Sequence, residues 1–124
     1  LNARTLFGIA AAFNFLVGLL MLVAYPLVSR VLGLEGPPTV WFHIAAAIVI
    51  IFGYAYWRIA QDPVTYRPFV ALGAIAKLAF VIAIYGHWLV GTASSAMALL
   101  VTADLIFAVL FVAYFKVSGM PASV

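Results

Sequence analysis

Four long apolar runs, separated by short breaks rich in turn-forming residues, account for almost the whole chain. The first extends from Thr5 to Leu32, the second from Thr39 to Ala60, the third from Tyr66 to Val90 and the fourth from Ser95 to Phe115. Each reaches the ~20 residues that an α-helix needs to cross a bilayer. The runs are continuous rather than alternating, so they predict helices and not the strands of a transmembrane barrel. Pro26 predicts a kink near the end of the first run, because proline lacks the backbone donor a helix needs and its ring crowds the preceding turn.

The breaks carry stop signals. Gly33-Leu34-Glu35-Gly36-Pro37-Pro38 forms a stiff turn between the first two runs, and Gln61-Asp62-Pro63 with Arg67-Pro68 bounds the next pair. Gly91-Thr92-Ala93-Ser94 separates the last two, with Ser94 or Ser95 as the N-cap of the fourth helix. Connections this short join antiparallel neighbours. The expected fold is therefore an all-α integral membrane four-helix bundle, up-down-up-down, forming a single transmembrane domain over residues 1–124. A loose tail is expected after Lys116, through Ser118-Gly119-Met120-Pro121.

Composition agrees with the pattern. The 124 residues are 69% hydrophobic and 7% charged, against about 25% charged in soluble domains. So few charges cannot cover a water-soluble surface. Cysteine is absent, which excludes disulfides, thiolate metal sites and cysteine nucleophiles. The net charge of +3 is made of scattered residues and gives no basic patch for nucleic acid. The chain begins at Leu1, as a processed product would, yet its first apolar run is too long for a secretory signal and reads as a retained helix. Arg4, Arg58, Arg67 and Lys116 fall at one end of the expected bundle and Arg30 at the other, beside Glu35. The excess of cations predicts that both termini face the cytoplasm. Tyr56, Trp57, Tyr66 and Tyr114 are expected as an aromatic belt at that face, and Tyr25, Trp41, Tyr85 and Trp88 at the opposite one.

The most informative positions are polar residues inside the apolar runs. Asn14, Lys77 and Asp104 lie about ten, eleven and nine residues into their helices, so a rise of 1.5 Å per residue brings all three near the midplane. Each of the two charges would cost roughly 2.5–3.5 kcal/mol at the centre of an isolated spanning helix, so both should face protein. Asn14 lies between Ala10 and Gly18 on a stripe of small residues that permits close helix approach. Lys77 follows Gly73 by one turn, and Ala108 follows Asp104. Two roles are open to such a layer: an ion pair that fixes helix register, with Asn14 bonded to one member, or a polar site for a ligand or a proton.

His43 and His87 form a second constellation, expected at similar depth near the outer end of the second and third helices. Facing imidazoles suit the iron of a b-type haem, although two ligands are too few for a zinc site. The alternative is a pair of interfacial histidines beside Trp41 and Trp88, bonded to headgroups, water or backbone. Tyr54, three turns after His43, is a candidate to point inward. The chain has no glycine-rich phosphate loop, no His-Glu-x-x-His helix and no Gly-x-Ser-x-Gly elbow. No recognisable catalytic set remains.

Taken together, Phe7-Gly8 with Asn14 and Gly18, Leu32-Gly33-Leu34 before the proline-rich turn, Arg67-Pro68, Leu72-Gly73-Ala74 with Lys77, and Asp104-Leu105-Ile106-Phe107-Ala108 resemble small bacterial four-helix membrane proteins of unassigned function. The chain is loosely similar to the DoxX-like group. The resemblance covers nearly the whole chain and implies a multi-pass protein of the bacterial inner membrane; it carries over no catalytic or binding residue. The helix-one glutamate of small multidrug transporters and the Thr/Ser-Phe signatures of fluoride channels are missing. The first expectation for function is an accessory or structural subunit of a larger membrane complex, whose partners are the bilayer and other membrane subunits or further copies of the chain. The second is an oligomeric small transporter or channel using Lys77 and Asp104. The third is a binder, or an enzyme, for a hydrophobic ligand such as a quinone, sterol or carotenoid.

Overall fold

The computed structural model describes residues 2–119. Five α-helices follow one another: α1 (Ala3–Val23), α2 (Tyr25–Leu32), α3 (Val40–Gln61), α4 (Arg67–Leu89) and α5 (Ser95–Ser118), with no strand among the described residues. The four long ones, of 21, 22, 23 and 24 residues, are apolar enough to cross a membrane. At 1.5 Å per residue they run to about 31–36 Å, enough for a hydrocarbon core of ~30 Å. Of the tail expected after Lys116, Ser118 ends α5, while Met120 and Pro121 lie outside the described residues.

The first run is two helices rather than one kinked helix. α1 stops at Val23, and Ala24 leaves helical geometry at φ −127°, ψ 41°. Pro26 cannot donate to the Leu22 carbonyl and its ring clashes there. The chain restarts instead in the first turn of α2, where a missing N–H costs nothing. The Leu27 and Val28 N–H groups both return to the Ala24 carbonyl, at 3.0 Å. α1 also begins two residues before the expected Thr5, because Asn2 caps it by accepting from the N–H groups of Arg4 (2.8 Å) and Thr5 (3.3 Å). Thr39 caps α3 through the Phe42 N–H (3.2 Å), and Ser94 caps α5 through the Met97 N–H (3.1 Å). Gly33 closes α2 in the left-handed region, at φ +70°. The Ser94 hydroxyl also donates to the Leu32 carbonyl at 2.6 Å, which ties the end of α2 to the start of α5. In the turn after α3, hydrogen bonds from Thr65 hold the Asp62 carboxyl below its ordinary pKa.

α1 packs along α3, and α4 along α5; the two pairs meet less extensively, α3 touching α4 and α2 touching α5. Arg4 at the start of α1 donates to the Ala60 carbonyl at the end of α3 (3.4 Å). Arg67 at the start of α4 donates to the Phe115 carbonyl near the end of α5 (2.6 Å) and lies 3.8 Å from the Phe115 ring centroid. The stripe Ala10, Asn14, Gly18 is buried in the α1–α3 seam. A Cβ on Gly18 would come within 2.5 Å of Ile50 Cγ1 and 3.3 Å of the Ala46 carbonyl oxygen. Gly18→Val is therefore expected to destabilise the bundle by about 1–3 kcal/mol through overpacking. The measurement is the thermal unfolding midpoint in detergent micelles; an unchanged midpoint would show that the seam does not need this approach.

The interior is not uniform along the bundle. At the end that carries the start of α1, the core is dense: Leu6, Phe7, Ala10, Ala11, Tyr56, Ile59, Val70, Ala74 and Phe111 form one buried cluster. Phe7 stacks on Phe111 at 4.7 Å between ring centroids, and Tyr114 meets Phe7 edge-on at 5.6 Å. Toward the α2 end the two helix pairs separate around a cavity of about 410 Å³.

Candidate functional site

Lys77 and Asp104 face one another across α4 and α5. Lys77 Nζ lies 2.5 Å from Asp104 Oδ1, and it also donates to Asn14 Oδ1 at 3.1 Å. The Asn14 amide donates in turn to the Val49 carbonyl of α3 at 3.0 Å. One hydrogen-bonded chain, Val49–Asn14–Lys77–Asp104, thus links α3, α1, α4 and α5. All three side chains sit near the middle of their helices. Asn14 and Lys77 are 5% and 3% exposed, whereas the Asp104 side chain keeps 19% of its surface. The α1 stripe explains how Asn14 gets there: Gly53 of α3 packs directly under it, where a Cβ would lie 3.3 Å from Asn14 Cβ.

The ammonium is also enclosed by aromatic faces. Lys77 Nζ lies 5.5, 5.4 and 5.1 Å from the ring centroids of Phe13, Tyr56 and Phe107. Ring faces are electron-rich, so they stabilise a desolvated cation. The charge that the hydrocarbon penalises is therefore met on several sides: by a carboxylate, an amide oxygen and aromatic rings.

Tyr56 corrects an expectation. It was expected in an interfacial belt, but it is 1% exposed and wedged between the polar chain and the dense core. Gly73 makes this possible: a Cβ there would lie 2.6 Å from Tyr56 Cε1. Near a helix end a tyrosine reads as an anchor, which hid its role. The available signal was its place on the Gly53–Tyr56–Ile59 stripe, the buried face of α3. Tyr54, the candidate to point inward, is 52% exposed and packs beside Trp57 at 5.9 Å.

The polar chain forms one end of the cavity. Asn14, Lys77, Asp104 and Tyr56 all line it, and the remaining wall is apolar, with Phe13, Phe42, Phe52, Phe80, Leu100 and Val101 among its residues. α2 contributes Leu27, Val28, Val31 and Leu32. Leu27 and Val31 are also 49% and 60% exposed, so the cavity reaches the molecular surface beside α2.

The histidines belong to neither the polar chain nor the cavity lining. His87 Nδ1 is bonded to the Thr92 hydroxyl at 2.7 Å, in the turn after α4. His43 is exposed, its ring edge-on to Phe42 at 6.2 Å. No group of three His, Cys, Asp or Glu side chains among the described residues is placed to hold a metal ion. Of the expected belt residues, Trp41, Trp57 and Trp88 are exposed at 75%, 44% and 42%. Tyr85 is drawn inward to the Thr102 hydroxyl at 2.6 Å, a second tie between α4 and α5.

No family model, curated protein or solved structure matches this chain.

Proposed function

We propose that this chain is a multi-pass membrane protein that holds a lipophilic molecule in the cavity between its helix pairs, with the molecule's polar end against the Asn14–Lys77–Asp104 chain. The observation that carries this proposal is the cavity itself, about 410 Å³ with charged groups at one end and hydrocarbon elsewhere. The cavity also opens to the surface beside Leu27 and Val31 of α2, and apolar walls with a few convergent polar groups are the usual form of a small-molecule site. Of the three roles suggested by the sequence, the hydrophobic-ligand binder is the one this geometry favours over an accessory subunit or a transporter. Transport through one copy would require the aromatic packing of Phe7, Tyr56 and Phe111 to open.

In the proposed arrangement the four spans run up-down-up-down with both termini in the cytoplasm of a bacterial cell. Arg4, Arg58, Arg67 and Lys116 supply the positive side. The cavity then occupies the outer half of the bilayer.

The test is to purify the protein from membranes into nanodiscs and identify retained molecules by native and lipid mass spectrometry. A defined species bound near one per chain is expected. It should be lost from a variant with Ala45→Phe and Ala76→Phe, two wall positions whose new rings fill the space. A wild-type protein that retains nothing, or a filled variant that retains the same species, would end this proposal.

A further inference from the structure

We infer that the molecule in the cavity carries an uncharged oxygen head group, a carbonyl or a hydroxyl, seated against Lys77, Asp104 and Tyr56 with its hydrocarbon tail lying beside α2. This rests on the proposed function and narrows it to a ligand class.

The charge balance comes first. Lys77 and Asp104 are the charged residues of the cavity wall, and they cancel each other at 2.5 Å. A phosphate, carboxylate or quaternary ammonium would bring a net charge to the middle of the spanning helices. Among the described residues, no second cation or anion lines the cavity to answer it. An unanswered charge at that depth is strongly disfavoured.

Hydrogen-bonding capacity comes second. An ammonium has three N–H donors, and Lys77 uses two, toward Asn14 and Asp104. Asp104 is bonded through Oδ1 and keeps part of its surface at the wall, so Oδ2 remains an acceptor. Tyr56 is 1% exposed and lines the same end, and its hydroxyl forms no hydrogen bond among the described residues, although no fully buried polar atom there lacks a partner. The hydroxyl therefore keeps some accessible surface, and the cavity is the space that Tyr56 lines. The site thus offers two donors and one acceptor within one small area. A carbonyl oxygen can accept from both donors, and a hydroxyl can accept from one and donate to Asp104.

Size comes third. A cavity of about 410 Å³ falls in the ~300–1,000 Å³ range of small-molecule sites. A longer molecule must continue out of the cavity, and the surface opening beside Leu27 and Val31 of α2 gives it a way into the bilayer.

The experiment compares probes of matched chain in nanodiscs holding the wild-type protein: hexadecanol, hexadecyl phosphate and hexadecyltrimethylammonium, with a hexadecyl-substituted benzoquinone as the carbonyl arm. Affinity is read from native mass spectrometry and from the shift in unfolding midpoint with ligand concentration. The alcohol or the quinone is expected to bind roughly a hundredfold more tightly than either charged probe, the ratio that a single unanswered intramembrane charge implies. Whichever neutral arm is tighter identifies the head as hydroxyl or carbonyl. Tyr56→Phe should weaken the neutral probes about tenfold, the loss of one hydrogen bond to the head, without changing the affinity of the charged ones. If a charged probe binds as tightly as the neutral ones, and the filled variant excludes it, the head-group inference fails while the ligand-binding function stands. If no probe binds and no native lipid is retained, the function itself fails and the inference with it.

Discussion

Lys77→Met is expected to destabilise the bundle by about 3–5 kcal/mol, the cost of leaving one member of a buried ion pair without its partner. The substitution strands Asp104 against the cavity wall and also removes the donor that Asn14 Oδ1 accepts, 3.1 Å away. The Phe13, Tyr56 and Phe107 rings, arranged around a cation, would then face a neutral thioether and a carboxylate. Ring faces repel negative charge, so the site cannot simply relax around Asp104. Asp104→Leu should cost a comparable amount, since it leaves the ammonium with only the Asn14 oxygen and the rings. The double variant, Lys77→Met with Asp104→Leu, should recover most of the loss, because a buried pair exchanged for apolar residues of similar volume is close to neutral. Denaturant unfolding of all four proteins in one micelle system gives the double-mutant cycle. Singles as stable as the wild type would mean that the two charges reach water or headgroups and do not depend on each other. A recovered double variant that no longer favours an uncharged probe would separate the structural contribution of the pair from its contribution to ligand selection.

The four long apolar helices were legible in the sequence because a bilayer imposes a simple rule: about 20 apolar residues, with no unpaired backbone group in lipid. Glycine, proline and serine then marked the turns, and Ser94 caps α5 as its hydroxyl chemistry requires. The break at Ala24 was less legible. Pro26 announced a disturbance but not whether the helix would bend or restart, since that depends on where the freed carbonyls find donors. Asn14, Lys77 and Asp104 stood out because a polar side chain in an apolar run has few ways to be satisfied. What the sequence could not supply was the pairing of helices. Depth can be counted along one helix, whereas which faces meet depends on close approaches such as Gly18 with Ala46 and Gly73 with Tyr56. The cavity was invisible for the same reason. It arises from the unequal approach of the two helix pairs, and no single residue encodes that separation.

Tyr56→Ala is expected to be nearly as damaging as the loss of a charge, at about 3–5 kcal/mol, the usual cost of deleting a large buried ring. Lipid tails are as apolar as the core, so the transfer part of that figure shrinks in a membrane and the lower end of the range is expected. The loss comes from packing: Tyr56 lies 5.1 Å from Phe111, 6.1 Å from Phe52 and 6.3 Å from Phe7 between ring centroids, and it covers Gly73 on α4. Removing the ring opens a void at the junction of the two helix pairs, where α3 and α4 have little other contact, and the surrounding dispersion contacts lose their partner. Tyr56→Phe keeps the ring and gives up only a hydroxyl that has no described partner, so its unfolding midpoint should stay within about 0.5 kcal/mol of wild type. Gly73→Val offers an independent route to the same defect, because it forces the ring out while leaving Tyr56 itself intact. Matching losses for Tyr56→Ala and Gly73→Val, with Tyr56→Phe unaffected, would assign the stability to the wedged ring. A mild effect of Tyr56→Ala would mean that the dense end of the bundle is held by Phe7 and Phe111 alone. The floor of the cavity would then be a movable part rather than a fixed one.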